Sequence, residues 1–178
     1  MVVKIHDLAD AYQSAMKGES VLLTKSQALT DCQSLLNIFK DTLAKGACIS
    51  FHGLGSIVVK KRNARKTKLP NGDEVDVTEA ISCSMVKVIR KSQVKLFSDK
   101  KVLSSCIKDT LAKTLNSKTK SDVLYSVFQR FLSCVRNGRY SAFYLHKFGR
   151  FTLRASNDGF AIKFSPSSDL KDSLQSLL

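Results

Sequence analysis

The sequence predicts an α+β protein made of two similar units in tandem. Two stretches with helical periodicity are each followed by short alternating strands that are broken at a glycine turn. The strand–turn–strand motif occurs as ISFHGLGSI at 49–57 and as FYLHKFGRF at 143–151, with apolar residues, a histidine and a glycine in matching places. Because the same order recurs, one folding unit has been used twice.

The composition narrows the range of functions. The 178 residues carry 29 Lys and Arg against 15 Asp and Glu, a formal net charge of +14. This charge suits a polyanion, with nucleic acid ahead of an acidic membrane surface. The N-terminus lacks an apolar signal core and no apolar run approaches the roughly 18 residues of a membrane span, so we expect a soluble, intracellular protein. Five cysteines without a C-x-x-C pair predict reduced, mostly buried thiols.

The first unit is predicted to contain a long helix followed by a strand pair. From Thr24 to Lys45 apolar residues recur at spacings of three and four, which places them on one helix face. Thr24 and Gln27 form a capping-box pattern, and Gly46 is expected to end the helix. Apolar and polar residues then alternate on both sides of the turn at Gly53–Gly55. The predicted order is helix, strand, glycine turn, strand.

The second unit repeats this order. A helical stripe from Val123 to Val135 ends at Asn137–Gly138, and a strand pair follows across Phe148–Gly149. An earlier helix is predicted to be capped at Ser98–Asp99 and to run through four residues with helical spacing: Val102, Cys106, Ile107 and Leu111.

We therefore divide the chain into a first unit, residues 1–97, and a second unit, residues 98–178. No stretch rich in Pro, Gly or Ser separates them. We expect the two units to pack together.

A strongly basic stretch follows the strand pair of the first unit. Residues 60–68 contain six cations and no acid, and a Pro-Asn-Gly turn follows at 70–72. An exposed strand edge whose lysines prevent aggregation is one explanation of such a run. A basic ribbon with few large apolar residues cannot be buried in a core, however, whereas phosphate contacts would explain its length.

The order of these motifs resembles the bacterial HU/IHF histone-like family. In residues 1–97 the resemblance rests on the helix ending in KG, on ISFHGLGSIVV, on RNARKTKLPNGDEVDV and on VIRKSQVK. The second unit is similar from about Leu103 to Leu174, through LHKFGRF and FSPSSDLKDSL. In that family two subunits interlock into a helical body under a β-saddle, and two long β-arms wrap DNA through the minor groove. A proline at each arm tip wedges between base pairs.

The resemblance implies DNA contacts at named positions. It assigns Pro70 to the wedge, and the alternative is that Pro70 is an ordinary turn proline. Unstacking a base step costs on the order of a few kcal/mol, and the contacts that the bent duplex makes with the protein offset this cost. The expected arm contacts are Lys60, Lys61, Arg62, Arg65, Lys66, Lys68 and Asn71. Further contacts are expected at the end of the first unit and on the strands of the second: Lys87, Arg90, Lys91, Arg150, Arg154 and Lys163.

The second unit departs from the family because it has no long arm. Thr152–Lys163, with a tight Asn157–Gly159 turn, stands in its place. In the first unit Leu69 replaces the usual polar residue before the tip proline. One chain is thus expected to imitate the family's dimer with a single arm, and a homodimer remains possible. Ser165 and Pro166 are expected to cap and start the closing helix, whose free amides suit either a phosphate or plain capping.

The remaining residues predict no catalytic or metal site and no cofactor. His6, His52 and His146 are far apart in sequence, and the last two are expected to be packing histidines on strands beside the glycine turns. Phosphate-loop, zinc-protease and nucleophile-elbow motifs do not occur. We expect a non-enzymatic protein without a small-molecule substrate, associated with DNA in a nucleoid, a virion or an organelle. The alternatives are a protein scaffold with an acidic partner and, third, an enzyme or repair factor recruited to DNA.

Overall fold

The computed structural model describes residues 1–87, 100–157 and 159–178. Over these residues the chain is mixed helix and sheet, which confirms the predicted α+β class. The described helices are α1 (Ile5–Gly18), α2 (Lys25–Ala44), α3 (Ser104–Leu115), α4 (Lys118–Arg136) and α5 (Ser168–Gln175). The described strands are β1 (Val2–Lys4), β2 (Cys48–Phe51), β3 (Gly55–Arg62), β4 (Arg65–Lys68), β5 (Glu74–Val77), β6 (Ala80–Val86), β7 (Lys101–Val102), β8 (Ala142–Leu145), β9 (Gly149–Ser156) and β10 (Gly159–Pro166).

The long helix of the first unit begins and ends where its sequence predicts. The backbone N–H of Gln27 donates to the Thr24 hydroxyl at 3.1 Å, and the Thr24 N–H donates to the Gln27 side chain at 2.9 Å. Gly46 follows the helix with a φ of 78°, in the left-handed region that glycine adopts without strain. The periodicity and the capping box were therefore sufficient to define α2.

The start of the helix before α4 was predicted wrongly. Helix α3 begins at Ser104, and Val102 lies instead in β7, where it pairs in parallel with Ile49 of β2. The predicted cap, Ser98–Asp99, lies outside the described residues, as does the boundary between the two units. A two-residue strand has no periodicity of its own, so only its pairing partner reveals it.

The closing helix also starts later than predicted. Pro166 is the last residue of β10, and Ser167, rather than Ser165, caps α5 by accepting a hydrogen bond from the Leu170 N–H at 3.2 Å. The backbone of Ser167 donates to the Phe148 carbonyl at 3.0 Å. Sheet pairing therefore extends two residues further than the local sequence indicates, and the free amides at the start of the closing helix follow Ser167 and not Ser165.

The two sheets exchange strands between the units. The first sheet has the order β6-β3-β2-β7 and the second has the order β1-β8-β9-β10. Strand β1 of the first unit pairs in parallel with β8 of the second, and β7 of the second pairs in parallel with β2 of the first. Strand β10 lies beside β6, where the two sheets meet. Each four-stranded sheet thus contains one strand from the other unit.

The two units share one hydrophobic core. Helix α1 packs against both α2 and α4, and α3 packs against both α4 and α2. At the centre the ring of Phe128 lies 5.2 Å from that of Phe39 and 6.0 Å from that of Phe51, measured between centroids. The Arg136 guanidinium, at the end of α4, donates to the Gly53 carbonyl of the first glycine turn at 2.6 Å. Burial of one unit's apolar surface therefore requires the other unit.

The cysteines of the described residues are free thiols, and three of the five are buried, as expected. Burial raises the pKa of the Cys32 and Cys83 thiols to about 12, so both are protonated at neutral pH. Nearby, the buried Tyr12 hydroxyl donates to the Asp31 carboxylate at 2.7 Å and joins α1 to α2. Burial, together with this hydrogen bond, raises the pKa of Tyr12 above its usual value.

Candidate nucleic-acid interface

The basic stretch forms an exposed two-stranded ribbon, called the arm below and comprising residues 63–79. Its strands β4 and β5 pair from Arg65 with Val77 to Lys68 with Glu74. The arm continues from β3 and β6, whose last pair is Arg62 with Ala80, and two residues on each side separate the paired stretches. The register therefore continues from sheet to arm without an insertion. At about 3.3 Å per residue, the ribbon reaches about 26 Å beyond the sheet.

The arm tip is a tight turn with a fixed shape. The Gly72 N–H donates to the Leu69 carbonyl at 2.9 Å, and Pro70 occupies the second position of the turn, where its fixed φ is favoured. The Asn71 side chain accepts from the Asp73 N–H and donates to the Asp73 carboxylate, both at 3.0 Å. Asn71 therefore holds the tip together, and Pro70 and Leu69 are exposed beside it.

The return strand of the arm brings acids opposite two of its lysines. Lys66 pairs with Asp76 and Lys68 pairs with Glu74, so these four side chains share one face of the ribbon. The opposite face carries Arg65, which pairs with a valine. The six cations without an acid therefore describe only the first strand of the ribbon. The acids lie on the returning strand β5, and only the register shows that they face the lysines.

The cations at the base of the arm have contacts within the chain. The Lys61 ammonium lies 3.8 Å from the Glu79 carboxylate, and the Arg62 guanidinium donates to the Thr78 carbonyl at 3.4 Å. Lys60 pairs with Ser82 on the other face of the ribbon and is half-buried. All six predicted arm cations thus lie on one continuous ribbon, but they differ in how far nearby acids and carbonyl groups offset their charge.

The second hairpin ends at the point where the arm begins in the first unit. Strands β9 and β10 pair as far as Ser156 with Gly159. When the two glycine turns are aligned, this pair corresponds to Arg62 with Ala80. The tight turn predicted from sequence thus replaces the whole arm, although Asp158 lies outside the described residues.

Three predicted contact residues of the second unit lie on one face of its sheet. Phe143, Phe151 and Phe164 are buried toward the helices, and each has an exposed neighbour in its strand, Tyr144, Arg150 and Lys163 respectively. The face opposite the helices, called the outer face below, carries the three cations on two adjacent strands: Arg150 and Arg154 on β9 and Lys163 on β10. No acidic residue occurs among the described residues of these two strands.

Two further residues on this outer face were missed by sequence reasoning. The register pairs Lys4 of β1 with Tyr144 of β8, and Tyr144 with Arg150 of β9. Lys4 is exposed and the Tyr144 side chain is 40% exposed, between the two cations. The alternation at 143–145 already predicts that Tyr144 points away from the core. Lys4, however, is 140 positions away in sequence and joins it only through the parallel pairing.

The corresponding face of the first sheet has serines at the positions of Tyr144, Arg150 and Lys163, but it keeps a cation, Lys60, at the position of Arg154. The position of Tyr144 is taken by Ser50 and that of Arg150 by Ser56, which pair with each other. Ser84, which pairs with Val58, stands where Lys163 stands in the second sheet. The first unit therefore carries three cations at the end of strand β3, Lys60, Lys61 and Arg62, and three on the arm beyond it, whereas Arg150, Arg154 and Lys163 of the second unit lie on the sheet.

The histidines differ from the prediction. His52 and His146 lie in the glycine turns and are exposed, so neither is a packing residue on a strand. His146 also shares a cavity of about 350 Å³ with His6, which is distant in sequence. Besides these two histidines, the cavity is lined by Lys4, Ile5, Leu29, Gln33 and Tyr144.

The remaining predicted contacts are not all placed. Lys87 is exposed directly after β6, whereas Arg90 and Lys91 lie outside the described residues. Within the described ranges, no group of three His, Cys, Asp or Glu side chains is arranged to hold a metal ion. The described helices also include none with the length and hydropathy needed to span a membrane.

Comparisons with known proteins point to one family. The family described as "Bacterial DNA-binding protein" matches residues 12–92. DNA-binding protein HU from two strains of Campylobacter jejuni is 30% identical over 90 residues, which is 49% of this chain and 92% of each relative. Among solved structures, HU of Anabaena in a cocrystal with DNA is similar at 20% identity with a TM-score of 0.34, covering 47% of this chain and 87% of that protein.

Proposed function

The chain belongs to the bacterial DNA-binding protein family that contains HU, and from this premise we propose that it is an architectural protein that binds and bends double-stranded DNA. The observation that carries the proposal is the ribbon formed by the arm and its base, residues 60–79, which has six cations against four acids and whose arm has no core of its own. Such a ribbon is stable in water but gains most from a polyanion, because each phosphate that it neutralises releases condensed counterions.

The outer face of the second sheet supports the same proposal. Arg150, Arg154 and Lys163 form a cationic surface on strands whose described residues include no acid, and β10, which carries Lys163, lies beside β6 at the base of the arm. A duplex held by the arm at one end and by this face at the other meets cations along its path. Phosphate contacts of this kind position DNA without reading its sequence, so we propose sequence-tolerant binding. Nicked, bent or A·T-rich duplexes should be preferred.

We further propose that Pro70 opens one base step. The turn holds Pro70 at the outermost point of the arm, and Asn71, beside it, hydrogen-bonds to Asp73 within the turn. A rigid ring at this point suits insertion between base pairs, which kinks the duplex and brings more of it onto cationic protein surface. Because the second hairpin has no arm, the bend is expected to come mainly from one kink.

The proposed assembly is a monomer whose two units imitate a dimer. The exchange of β1 and β7 and the shared aromatic core support this arrangement, since each unit completes the other's sheet. A homodimer, which would restore two arms, is the alternative. Isolated residues 1–97 should expose apolar surface and self-associate, whereas the full chain should have the mass of a monomer by light scattering. We propose that it binds DNA in a nucleoid, a virion or an organelle and that it does not catalyse a reaction on the DNA.

A second candidate function is a protein scaffold. It is favoured by the acids of the arm, since Asp73, Glu74, Asp76 and Glu79 offset much of the charge of the six cations. An arm of mixed charge suits an acidic or mixed protein surface as well as DNA.

Salt dependence separates the two candidates. If DNA is the partner, the logarithm of the association constant for a random duplex should fall with the logarithm of salt concentration by about 0.9 per phosphate contacted. Fluorescence anisotropy between 50 and 300 mM salt measures this slope. Absent or salt-insensitive duplex binding would favour the scaffold, and a nuclease assay with Mg²⁺ checks that the duplex stays intact.

A further inference from the structure

We propose that the cavity beside Tyr144 is a binding pocket for one unpaired DNA base, adjacent to the duplex that the arm holds. This inference extends the proposed function from duplex binding to duplexes that carry an unpaired strand. It concerns a site that joins the N-terminal strand β1, helix α2 and strand β8, which no single motif of the sequence contains.

The size and lining of the cavity fit a nucleobase. Its volume of about 350 Å³ lies within the range of about 300–1,000 Å³ that is typical of small-ligand pockets. The half-buried Leu29 supplies an apolar wall, and the Tyr144 ring is 40% exposed and available for stacking. The amide of Gln33 offers both a donor and an acceptor for the edge of a base. Pockets that hold extrahelical bases combine these two features, stacking and edge hydrogen bonds.

The charges around the cavity fit a nucleotide that belongs to a DNA strand. Lys4 and Arg150 flank Tyr144 on the two neighbouring strands, so a cation stands on each side of the ring for the phosphates next to a stacked base. Arg150 also begins the cationic outer face, so the pocket is continuous with the surface proposed to hold the duplex. A base inside an intact duplex cannot reach the Tyr144 ring, because both of its faces are already stacked.

The difference between the two units supports this specificity. In the first sheet the same position is Ser50, beside Ser56, and it has neither ring nor cation. A surface that only needed to hold phosphates would require cations but not an exposed aromatic ring. Placing Tyr144 between two cations on the unit without an arm indicates a stacking contact in place of a groove contact.

The test compares a blunt 20-base-pair duplex with the same duplex carrying a five-nucleotide oligothymidine tail. Since stacking of one base on an aromatic side chain contributes on the order of 5- to 100-fold in affinity, the tailed duplex should bind more tightly by that factor. Tyr144→Leu should abolish the difference in affinity between the tailed and the blunt duplex, whereas Tyr144→Phe should preserve it. Phe160→Leu is the matched control, because Phe160 is 61% exposed but lies outside the cavity.

A second variant and a direct readout guard against a folding artefact. Gln33→Leu, on a different element, should lower the gain from the tail without changing the thermal unfolding temperature. Quenching of 2-aminopurine in the tail should occur with the parent and with Tyr144→Phe but not with Tyr144→Leu, since it reports stacking directly.

Equal affinity for tailed and blunt duplexes would overturn the proposal. A Tyr144→Leu variant that loses affinity equally for both duplexes would also overturn it, because Tyr144 would then be a contact to the DNA backbone. The same holds if millimolar thymidine monophosphate displaces the blunt duplex while the tailed duplex shows no preference. Tail binding without blunt-duplex binding would instead contradict the proposed duplex function and leave the pocket standing.

Discussion

The arm of the first unit and the outer face of the second sheet present cations in two different ways. The arm extends Arg65, Lys66 and Lys68 far from the body on a ribbon that has no core, and its return strand places Asp76 and Glu74 opposite the two lysines. The outer face holds Arg150, Arg154 and Lys163 on strands whose other side is packed against the helices, and no acid lies among the described residues of those strands.

This difference shows that how far a cationic surface extends from the body and how densely its cations are placed are separate properties. A ribbon reaches around a partner but must remain soluble and avoid pairing with other edges, and alternating charges serve that need. A packed sheet cannot extend around a partner, but its side chains are attached to a rigid backbone and therefore lose less conformational freedom on binding. If both regions contact the same duplex, the arm should dominate affinity through wrapping and the sheet should supply a steady phosphate contact.

Charge reversal on the arm should have the largest effect. Changing Arg62, Arg65 and Lys66 to Glu removes three phosphate contacts and adds repulsion, so duplex affinity at 150 mM salt should fall on the order of 100-fold for every sequence. The salt slope should flatten by about 2.7, which anisotropy titrations at several salt concentrations measure. The same charge change on exposed helix residues, Lys17, Lys113 and Lys118 to Glu, is the matched control. A control that weakens binding equally would show that net charge, not the arm, determines affinity.

Replacing the sheet cations with the residues of the first unit should have a smaller effect. Arg150→Ser combined with Lys163→Ser gives the second outer face the serines that the first sheet has at Ser56 and Ser84. Two phosphate contacts are lost without repulsion, so affinity should fall on the order of 10-fold and the salt slope should flatten by about 1.8. Lys113→Ser with Lys118→Ser controls for the charge. Unchanged binding would mean that the duplex does not touch this face and that the arm acts alone.

Substitution of the tip proline should affect affinity least. Pro70→Ala keeps every cation, so duplex affinity should stay within about 3-fold of the parent, since phosphate contacts supply most of it. The bend should nevertheless decrease, because alanine lacks the rigid ring that holds a base step open. Energy transfer between dyes at the two duplex ends measures this bend, and Asp73→Asn, at the same turn, is the matched control. A parent-like bend in Pro70→Ala would return Pro70 to the role of a turn residue.

The sequence by itself determined the features that depend on neighbouring residues. Helix α2 followed from the three- and four-residue spacing and from its Thr24–Gln27 cap, and the strand pairs followed from alternation around the two glycine turns. The exposed basic ribbon and its Pro-Asn-Gly tip could also be predicted from the sequence, because a polar stretch without apolar periodicity cannot be buried in a core. These signals act over a few residues, where propensity and capping operate.

Only the tertiary structure decided which distant residues meet. The parallel pairing of β1 with β8 brings Lys4 to Tyr144, and that of β7 with β2 moves the start of α3 to Ser104. The register of the arm sets Asp76 opposite Lys66 and so divides the charge of the ribbon between its faces. Strands of two or three residues have no detectable period, and a one-residue change of register moves every side chain to the other face. The pairing is selected by burial of one core shared by both units, which is a property of the whole chain and not of any segment.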